Sequence, residues 1–261
     1  MITLVTGARG FAGSHLVDRL LPRERVAGWH RPGAPPPSRP GLDWHPVDVT
    51  DRAAVRAALE TLRPSRIYHL AGASRVDTSW SNAAPHLEIN VRGTHYLLEA
   101  VRELHLSCRV LVVTSALVYK PSEDPLTEDH PLVPVSPYGV TKLAEDQLAL
   151  RAAWESGLDV VVARPFNHVG PRQDIYFSVP SFARQIARIE SGLAAPEIRV
   201  GNLESRRDLT DVRDTVAAYV RLMESGVAGR PYNVCTGTAF RIRDVLDRLV
   251  RLSTVSVSIT T

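Results

Sequence analysis

Tyr138 and Lys142 stand four residues apart in the run Ser136-Pro137-Tyr138-Gly139-Val140-Thr141-Lys142. On a helix that spacing puts both on one face. An ammonium beside a phenol stabilises the phenolate, so the pair is expected to draw the tyrosine pKa down from about 10 toward working pH. Such a tyrosine can give a proton to a carbonyl oxygen as hydride arrives, or take one in reverse. Ser115, in Thr114-Ser115-Ala116-Leu117-Val118-Tyr119 after an apolar run, can hydrogen-bond the same oxygen and fix its position. Ser115, Tyr138 and Lys142 are the candidate catalytic residues.

Hydride chemistry needs a carrier, and the N-terminus supplies a place for one. Gly7, Gly10 and Gly13 follow the apolar run Ile2-Thr3-Leu4-Val5, and Phe11–Leu21 continues with helical periodicity. Gly7 permits a tight turn, Gly10 lets a pyrophosphate approach the backbone, and Gly13 lets the helix pack on the strand. The helix N-terminus offers free N–H groups to phosphates. A carboxylate at the end of the second strand would take the adenosine ribose hydroxyl, but this chain has Trp29-His30-Arg31 there and no acid before Asp43. A guanidinium at that place suits a 2′-phosphate, so His30 and Arg31 favour NADP over NAD. Asp48 and Val49, after the third strand, are positioned to meet the adenine.

The elements that must hold these residues alternate strand and helix. Strands are expected at Met1–Thr6, Arg25–Trp29, Leu42–Val47, Arg66–Ala71, Val110–Ser115 and Asp159–Arg164. Helices are expected from Phe11, from Thr50 or Asp51 to about Leu62, over Ala84–Leu104 as one helix or a pair, and over Pro137–Ser156. Gly33–Gly41 is Pro-rich loop. Near-continuous apolar strands between helices argue a parallel sheet covered on both faces, an α/β doubly wound, Rossmann-type fold with ligands at the carboxyl ends of the strands. Residues 1–165 are expected to form the dinucleotide-binding core. Residues 166–261 are expected to be mainly a small substrate lobe with segments returning to the core, and Val255–Thr261 reads as a strand.

Composition narrows the partners. The 261 residues are 44% hydrophobic and 23% charged, ordinary for a soluble globular chain. The net charge of +3 makes no case for nucleic acid. Nearly all of the cations are arginine, Lys120 and Lys142 being the exceptions, which suits anionic substrate phosphates. Cys108 and Cys235 are too few for a disulfide framework, show no metal spacing, and are expected as reduced, buried thiols. No signal peptide or membrane span is visible, since Gly7 and Arg9 interrupt the apolar start, and a cytoplasmic location is expected.

With these residues in view, the chain resembles the extended short-chain dehydrogenase/reductase family of nucleotide-sugar enzymes. The matching residues are Gly7, Gly10 and Gly13, then Asp48, His69-Leu70-Ala71-Gly72-Ala73, Asn90, Ser115, Tyr138, Lys142 and Arg164-Pro165-Phe166-Asn167. Within that family Arg164–Gly170, Gly201-Asn202-Leu203, Arg206–Asp214 and Tyr232-Asn233-Val234-Cys235 look most like GDP-mannose 4,6-dehydratases and the related GDP-4-keto-6-deoxy-mannose reductases. The resemblance implies that Leu70, Ala71, Gly72, Tyr138 and Lys142 touch the cofactor. It also implies that Ser115, Asn167, Arg184, Asn202 and Arg207 meet a nucleotide-sugar substrate, a GDP-sugar being favoured. Dehydratases of the family carry an acid, usually Glu, two places after the active-site Ser or Thr, and this chain has Ala116 and Leu117 there. The resemblance therefore favours NADPH-dependent reduction of a 4-keto group over 4,6-dehydration. A 4-epimerase with retained NAD and a non-catalytic NADP-binding sensor are the alternatives. It further implies a homodimer built on the helices at about Asn90–Glu103 and Tyr138–Arg151, and a substrate lobe that is C-terminally incomplete or shortened.

Overall fold

A computed structural model describes residues 1–33 and 35–260. Ala34, within the expected Pro-rich loop, and Thr261, at the end of the expected terminal strand, lie outside the described residues. Two compact units emerge, Met1–Phe166 with Arg213–Val234, and Asn167–Val212 with Cys235–Thr261.

The first unit opens with β1 (Ile2–Thr6), whose last four residues are buried, and α1 (Phe11–Leu20). It continues through β2 (Arg25–His30), β3 (Leu42–Pro46), α2 (Arg52–Leu62), β4 (Arg66–His69) and α3 (Val76–Ser81). Asp51 caps α2 by accepting from the Ala54 N–H at 3.0 Å. Then come α4 (Ala84–His86), a π-helical turn (Leu87–Arg92), α5 (Gly93–Glu103), β5 (Arg109–Val113), a 3-10 turn (Ala116–Val118), α6 (Pro137–Ser156) and β6 (Val160–Pro165). The second unit begins with β7 (Asn167–Val169), α7 (Ser178–Glu190), β8 (Glu197–Arg199) and β9 (Arg206–Asp211). The chain then returns to the first unit through α8 (Val212–Ser225) and β10 (Pro231–Val234), and ends in the second with β11 (Ala239–Arg241), α9 (Ile242–Leu252) and β12 (Ser258–Thr260).

Seven strands of the first unit form one sheet in the order β10-β6-β5-β4-β1-β2-β3, every pair parallel. The order reverses at β1 and β4, the doubly wound arrangement whose strand ends form a ligand crevice. The core is built from the faces these strands bury, including Leu4, Ile67, Val110, Val112, Val160 and Val162, packed with Leu97, Val101, Ala149 and Leu150 of α5 and α6. Each such Leu, Ile or Val side chain stabilises the fold by about 1.5–3 kcal/mol relative to exposure. The second unit has a three-stranded sheet, β11-β9-β7, and the pair β12-β8. Its own core centres on Phe182, Ile186, Ile198, Leu203 and Leu246.

Local chemistry accounts for the departures from the expected elements. The helix expected over Ala84–Leu104 is one helical passage interrupted by the π turn at Leu87–Arg92, which holds the fully buried Asn90. Short α3 went unseen because Val76-Asp77-Thr78-Ser79-Trp80-Ser81 has no apolar periodicity. The terminal strand is shorter than the sequence suggests, running over Ser258–Thr260 among the described residues and pairing with β8. Cys108 is buried, which pushes its thiol pKa up to about 11, but Cys235 is exposed, contrary to the expected pair of buried thiols. No described helix is long and apolar enough to cross a membrane.

The turn between β1 and α1 leaves no room for side chains at Gly7 and Gly13. Gly7 has φ +67°, and a Cβ there would fall 2.8 Å from the Ala71 nitrogen. A Cβ on Gly13 would fall 2.1 Å from the Gly7 carbonyl oxygen. Both obstacles are backbone atoms, so neither can swing aside. Gly13→Ala is expected to cost more than about 3 kcal/mol in urea denaturation, and a loss under 1 kcal/mol would contradict this packing.

Candidate active site

Three strand ends and one helix assemble the site in the first unit. After β5 the chain enters an extended segment at Ser115, whose Oγ accepts from the Leu117 N–H at 3.1 Å and so caps the 3-10 turn. Ser136 caps α6 by accepting from the Gly139 N–H at 3.0 Å, and Pro137 sits in the first turn, where its missing N–H costs nothing. This fixes Tyr138 at the start of α6, where its N–H also donates to Ser79 Oγ at 3.2 Å. The Ser115 hydroxyl lies close enough to the Tyr138 phenol to lower its pKa, and the Tyr138 ring meets His86 edge-on at 6.2 Å. Thus the short helix α3, absent from the sequence reading, helps to seat Tyr138.

Lys142, one turn along α6, is buried. Its ammonium donates to the Val113 carbonyl at 3.1 Å and pairs with Glu145 Oε2 at 2.7 Å. Glu145 Oε1 accepts from Thr94 Oγ1 at 3.1 Å, Thr94 Oγ1 lies 3.0 Å from His69 Nε2, and His69 Nδ1 lies 2.8 Å from Thr6 Oγ1. Thr6 Oγ1 in turn accepts from the N–H groups of Leu70 and Ala71, at 3.2 and 3.0 Å. Beside this chain, fully buried Asn90 holds both the N–H and the carbonyl of Ala73 and donates to Thr141 Oγ1. A Cβ on Gly72 would stand 3.1 Å from Asn90 Oδ1 and 3.4 Å from Lys142 Nζ. The stretch Leu70–Ala73 therefore runs directly between the glycine turn and Lys142.

Electrostatics corrects one expectation. The Tyr138 pKa is raised, not lowered: burial acts most strongly, the Lys142 ammonium opposes it, Glu145 adds to it, and the Ser115 hydrogen bond opposes it more weakly. Burial is the largest influence on Lys142 and would lower its pKa, yet Glu145 and Tyr138 together hold it raised. Burial raises the Glu145 pKa against the pull of Lys142 and Thr94. His69 is pushed down to about 3, first by burial and then by the Lys142 charge.

A second buried pair anchors the same face of α6 one turn further on. Asp146 takes both Arg164 Nε and Nη2 at 2.8 Å, and Thr114 Oγ1 donates to it at 3.3 Å. Arg164 also donates to Tyr119 Oη at 2.9 Å and to the Glu128 carbonyl at 3.1 Å. These bonds tie the ends of β5 and β6 and the loop after Ser115 to the helix that carries Tyr138.

On the adenosine side, β2 ends at His30, a buried ring edge-on to Trp44 with Nδ1 2.9 Å from the Arg31 carbonyl. Arg31 is exposed, its Nε 3.8 Å from Asp48 Oδ2. Asp48 is held below its ordinary value because two hydrogen bonds from Thr50 and the Arg31 charge outweigh burial, the largest single influence. Val49 is buried against Gly93, where a Cβ would come within 2.9 Å of Val49 Cγ2. Phe11 opens α1 with its ring edge-on to His15.

Asn167, Arg184, Asn202 and Arg207 all belong to the second unit and are exposed there, on β7, on α7, before β9 and on β9. Asn202 Oδ1 accepts from the Glu204 N–H at 2.9 Å, and Arg207 donates to the Arg206 carbonyl at 2.6 Å. Ser115, Tyr138 and Lys142 are thus brought together in the first unit, and in the second Asn167 and Arg207 lie on the paired strands β7 and β9. Sequence reasoning overlooked Glu145 and Thr94. The signal for Glu145 was its place three residues after Lys142, which shares a helix face; Thr94 had none. The 3-10 turn after Ser115 carries no ionisable side chain, Leu117 being 45% exposed. Among the described residues no group of three or more His, Cys, Asp or Glu could hold a metal.

The chain as a whole is similar to known proteins. A profile of the family described as GDP-mannose 4,6 dehydratase matches residues 4–259. The chain is 36% identical over 258 residues to a GDP-6-deoxy-D-mannose reductase from Pseudomonas aeruginosa, covering 98% of this chain and 81% of that one. It is 34% identical over 253 residues to the GDP-mannose 4,6-dehydratase sdnI of Sordaria araneosa, covering 93% of this chain but 46% of that longer protein. In three dimensions it superposes on the structure of RMD from Pseudomonas aeruginosa complexed with NADPH, with TM-score 0.87 and 36% identity over 99% of this chain and 84% of that one.

The buried His69 makes stability depend on pH. In the unfolded chain the imidazole titrates near 6.5, in the native state near 3, so the unfolded state binds the proton first. The stabilisation is whole above pH 6.5 and is lost as pH falls from there toward 3. Urea titrations should show a slope approaching about 1.4 kcal/mol per pH unit from this one proton. His69→Gln should flatten the dependence between pH 6.5 and 5; an unchanged slope would show that His69 does not carry it.

Proposed function

The chain belongs to the GDP-mannose 4,6 dehydratase family of nucleotide-sugar enzymes, and we propose that it is an NADPH-dependent reductase of the 4-keto group of a GDP-4-keto-6-deoxy-sugar. One observation carries this reading. Ser115, Tyr138 and Lys142 form a single cluster, while the turn after Ser115 bears Ala116 and Leu117, which cannot remove a C5 proton or help expel a C6 hydroxyl. Reduction at C4 needs no such acid.

The glycine turn suits a dinucleotide, because a Cβ on Gly7 or Gly13 would strike backbone at the mouth of the cradle. Gly7, Gly10, Phe11 and Gly13 would hold the pyrophosphate at the start of α1. Asp48 and Val49 would hold the adenine, and Leu70, Ala71 and Gly72 would line the path toward Lys142. Arg31, with His30 beside it and no acid at the end of β2, would meet a 2′-phosphate, which favours NADPH over NAD. When bound, the cofactor supplies hydride. Ser115 would orient the ketone oxygen, and Tyr138 would donate its proton to that oxygen as the carbonyl is reduced. A raised pKa suits this role, since an acid must still hold its proton at working pH. Lys142 donates to the Val113 carbonyl and is ion-paired with Glu145, and a remaining donor would hold a ribose hydroxyl.

Residues 166–261 would be the main substrate lobe. Asn167, Arg184, Asn202 and Arg207 on the second unit would take the diphosphate and nucleotide, guanidinium forks matching phosphate oxygens. A homodimer would form on α5 and α6, whose shared groove is lined by Leu98, Glu99, Arg102, Leu148 and Arg151. The relative from Pseudomonas aeruginosa named as a GDP-6-deoxy-D-mannose reductase, and the RMD structure that holds NADPH, support the substrate and cofactor assignments.

Fresh GDP-4-keto-6-deoxy-mannose should drive NADPH oxidation, and Tyr138→Phe should slow it by about 10²–10⁴-fold. Retained NAD with sugar interconversion and no net NADPH use would instead establish a 4-epimerase. Arg31→Ala should raise KM for NADPH while leaving KM for NADH unchanged; equal effects on both would remove Arg31 from the 2′-phosphate.

A further inference from the structure

We infer that Glu145 is a positioning residue that grips the Lys142 ammonium and offsets its charge, keeping Tyr138 a proton donor and biasing the site toward carbonyl reduction. The inference rests on the reductase reading and adds a residue to it. Glu145 and Lys142 are both buried, and their ion pair spans 2.7 Å.

The direction of the hydrogen bonds supports a charged Glu145. Thr6 Oγ1 already accepts from two backbone N–H groups, so its own proton goes to His69 Nδ1. His69 therefore carries its proton on Nε2 and donates to Thr94 Oγ1. That hydroxyl in turn donates to Glu145 Oε1. One carboxylate oxygen thus faces the end of a donor chain that starts in the glycine-rich turn, and the other faces an ammonium. Both contacts favour the anion and oppose the burial that raises the Glu145 pKa.

A carboxylate so close to Lys142 cancels part of the field that would otherwise turn Tyr138 into phenolate. No other group facing the cluster takes this part. His69 of β4 is neutral, Tyr219 of α8 is a fully buried phenol whose pKa is raised by burial, and Asp146 is occupied by Arg164 of β6. His86 presents a ring edge to Tyr138, and Ser115 carries no charge. The rise in the Tyr138 pKa has Glu145 among its causes, after burial. A site meant chiefly to oxidise alcohols would gain from the opposite arrangement, with the lysine field unopposed.

The test compares wild type, Glu145→Gln and Glu145→Asp in the pH dependence of kcat/KM for NADPH-driven reduction of GDP-4-keto-6-deoxy-mannose. Gln keeps the shape and removes the charge; Asp restores the charge. The alkaline limb, where Tyr138 loses its proton, should move to lower pH with Gln and back toward wild type with Asp. The reverse oxidation at neutral pH should gain on reduction with Gln. A lower Tm and a uniform loss of kcat with an unmoved limb would mark Glu145 as merely structural and overturn the inference. Glu145→Ala, with the same expected shift, replaces Gln if the amide is not accommodated. If wild type does not turn over this ketone, the reductase reading fails by itself. The tyrosinate absorbance removed by Tyr138→Phe then decides, since it should titrate at lower pH in Glu145→Gln than in wild type, and an equal titration would overturn the inference.

Discussion

Tyr138, Lys142, Glu145 and Asp146 are ionisable side chains on one helix, and all of them are buried. A charge taken out of water must meet its opposite or a full set of hydrogen bonds. That requirement dictates much of the surrounding structure. Lys142 takes Glu145 and the Val113 carbonyl, and Asp146 takes Arg164 of β6 and Thr114 after β5. Together the pairings tie α6 to the ends of β5 and β6. The helix thereby becomes the member around which the strand ends are set, and its register against the sheet is held by paired charge as well as apolar packing.

The same requirement links the two halves of the chemistry. Glu145 is reached through Thr94 of α5 and His69 of β4 from Thr6, the last residue before the glycine turn. Thr6 also receives the N–H groups of Leu70 and Ala71. A chain of buried hydrogen bonds thus runs from the strand end before the glycine turn to Glu145, which is ion-paired with Lys142. Removing a member would leave a buried donor or acceptor unpaired, costing about 1–3 kcal/mol and more where the group is charged.

Much of the first unit was legible beforehand, because its signals are local. The turn at Gly7 and Gly13, the cap at Asp51 and the apolar runs of β1, β5 and β6 each depend on residues close in sequence, and they appear within a residue or two of their expected bounds. Where local signals are weak the reading failed. Short α3 has no apolar face, the π turn at Leu87–Arg92 lies inside an otherwise continuous helical pattern, and Cys235 lies exposed at the end of β10.

By itself the sequence determined the parallel α/β class, the candidate set Ser115, Tyr138 and Lys142, and the lack of an acid at Ala116 and Leu117. These follow from residue type and short spacing. Only the tertiary structure decided the protonation chemistry. From spacing alone Lys142 promised a lowered Tyr138 pKa, but burial and the Glu145 carboxylate reverse that direction. Desolvation depends on everything packed around a group, and the donor chain to Glu145 joins residues 6, 69, 94 and 145. No periodicity or motif connects positions so far apart; the sheet brings them together.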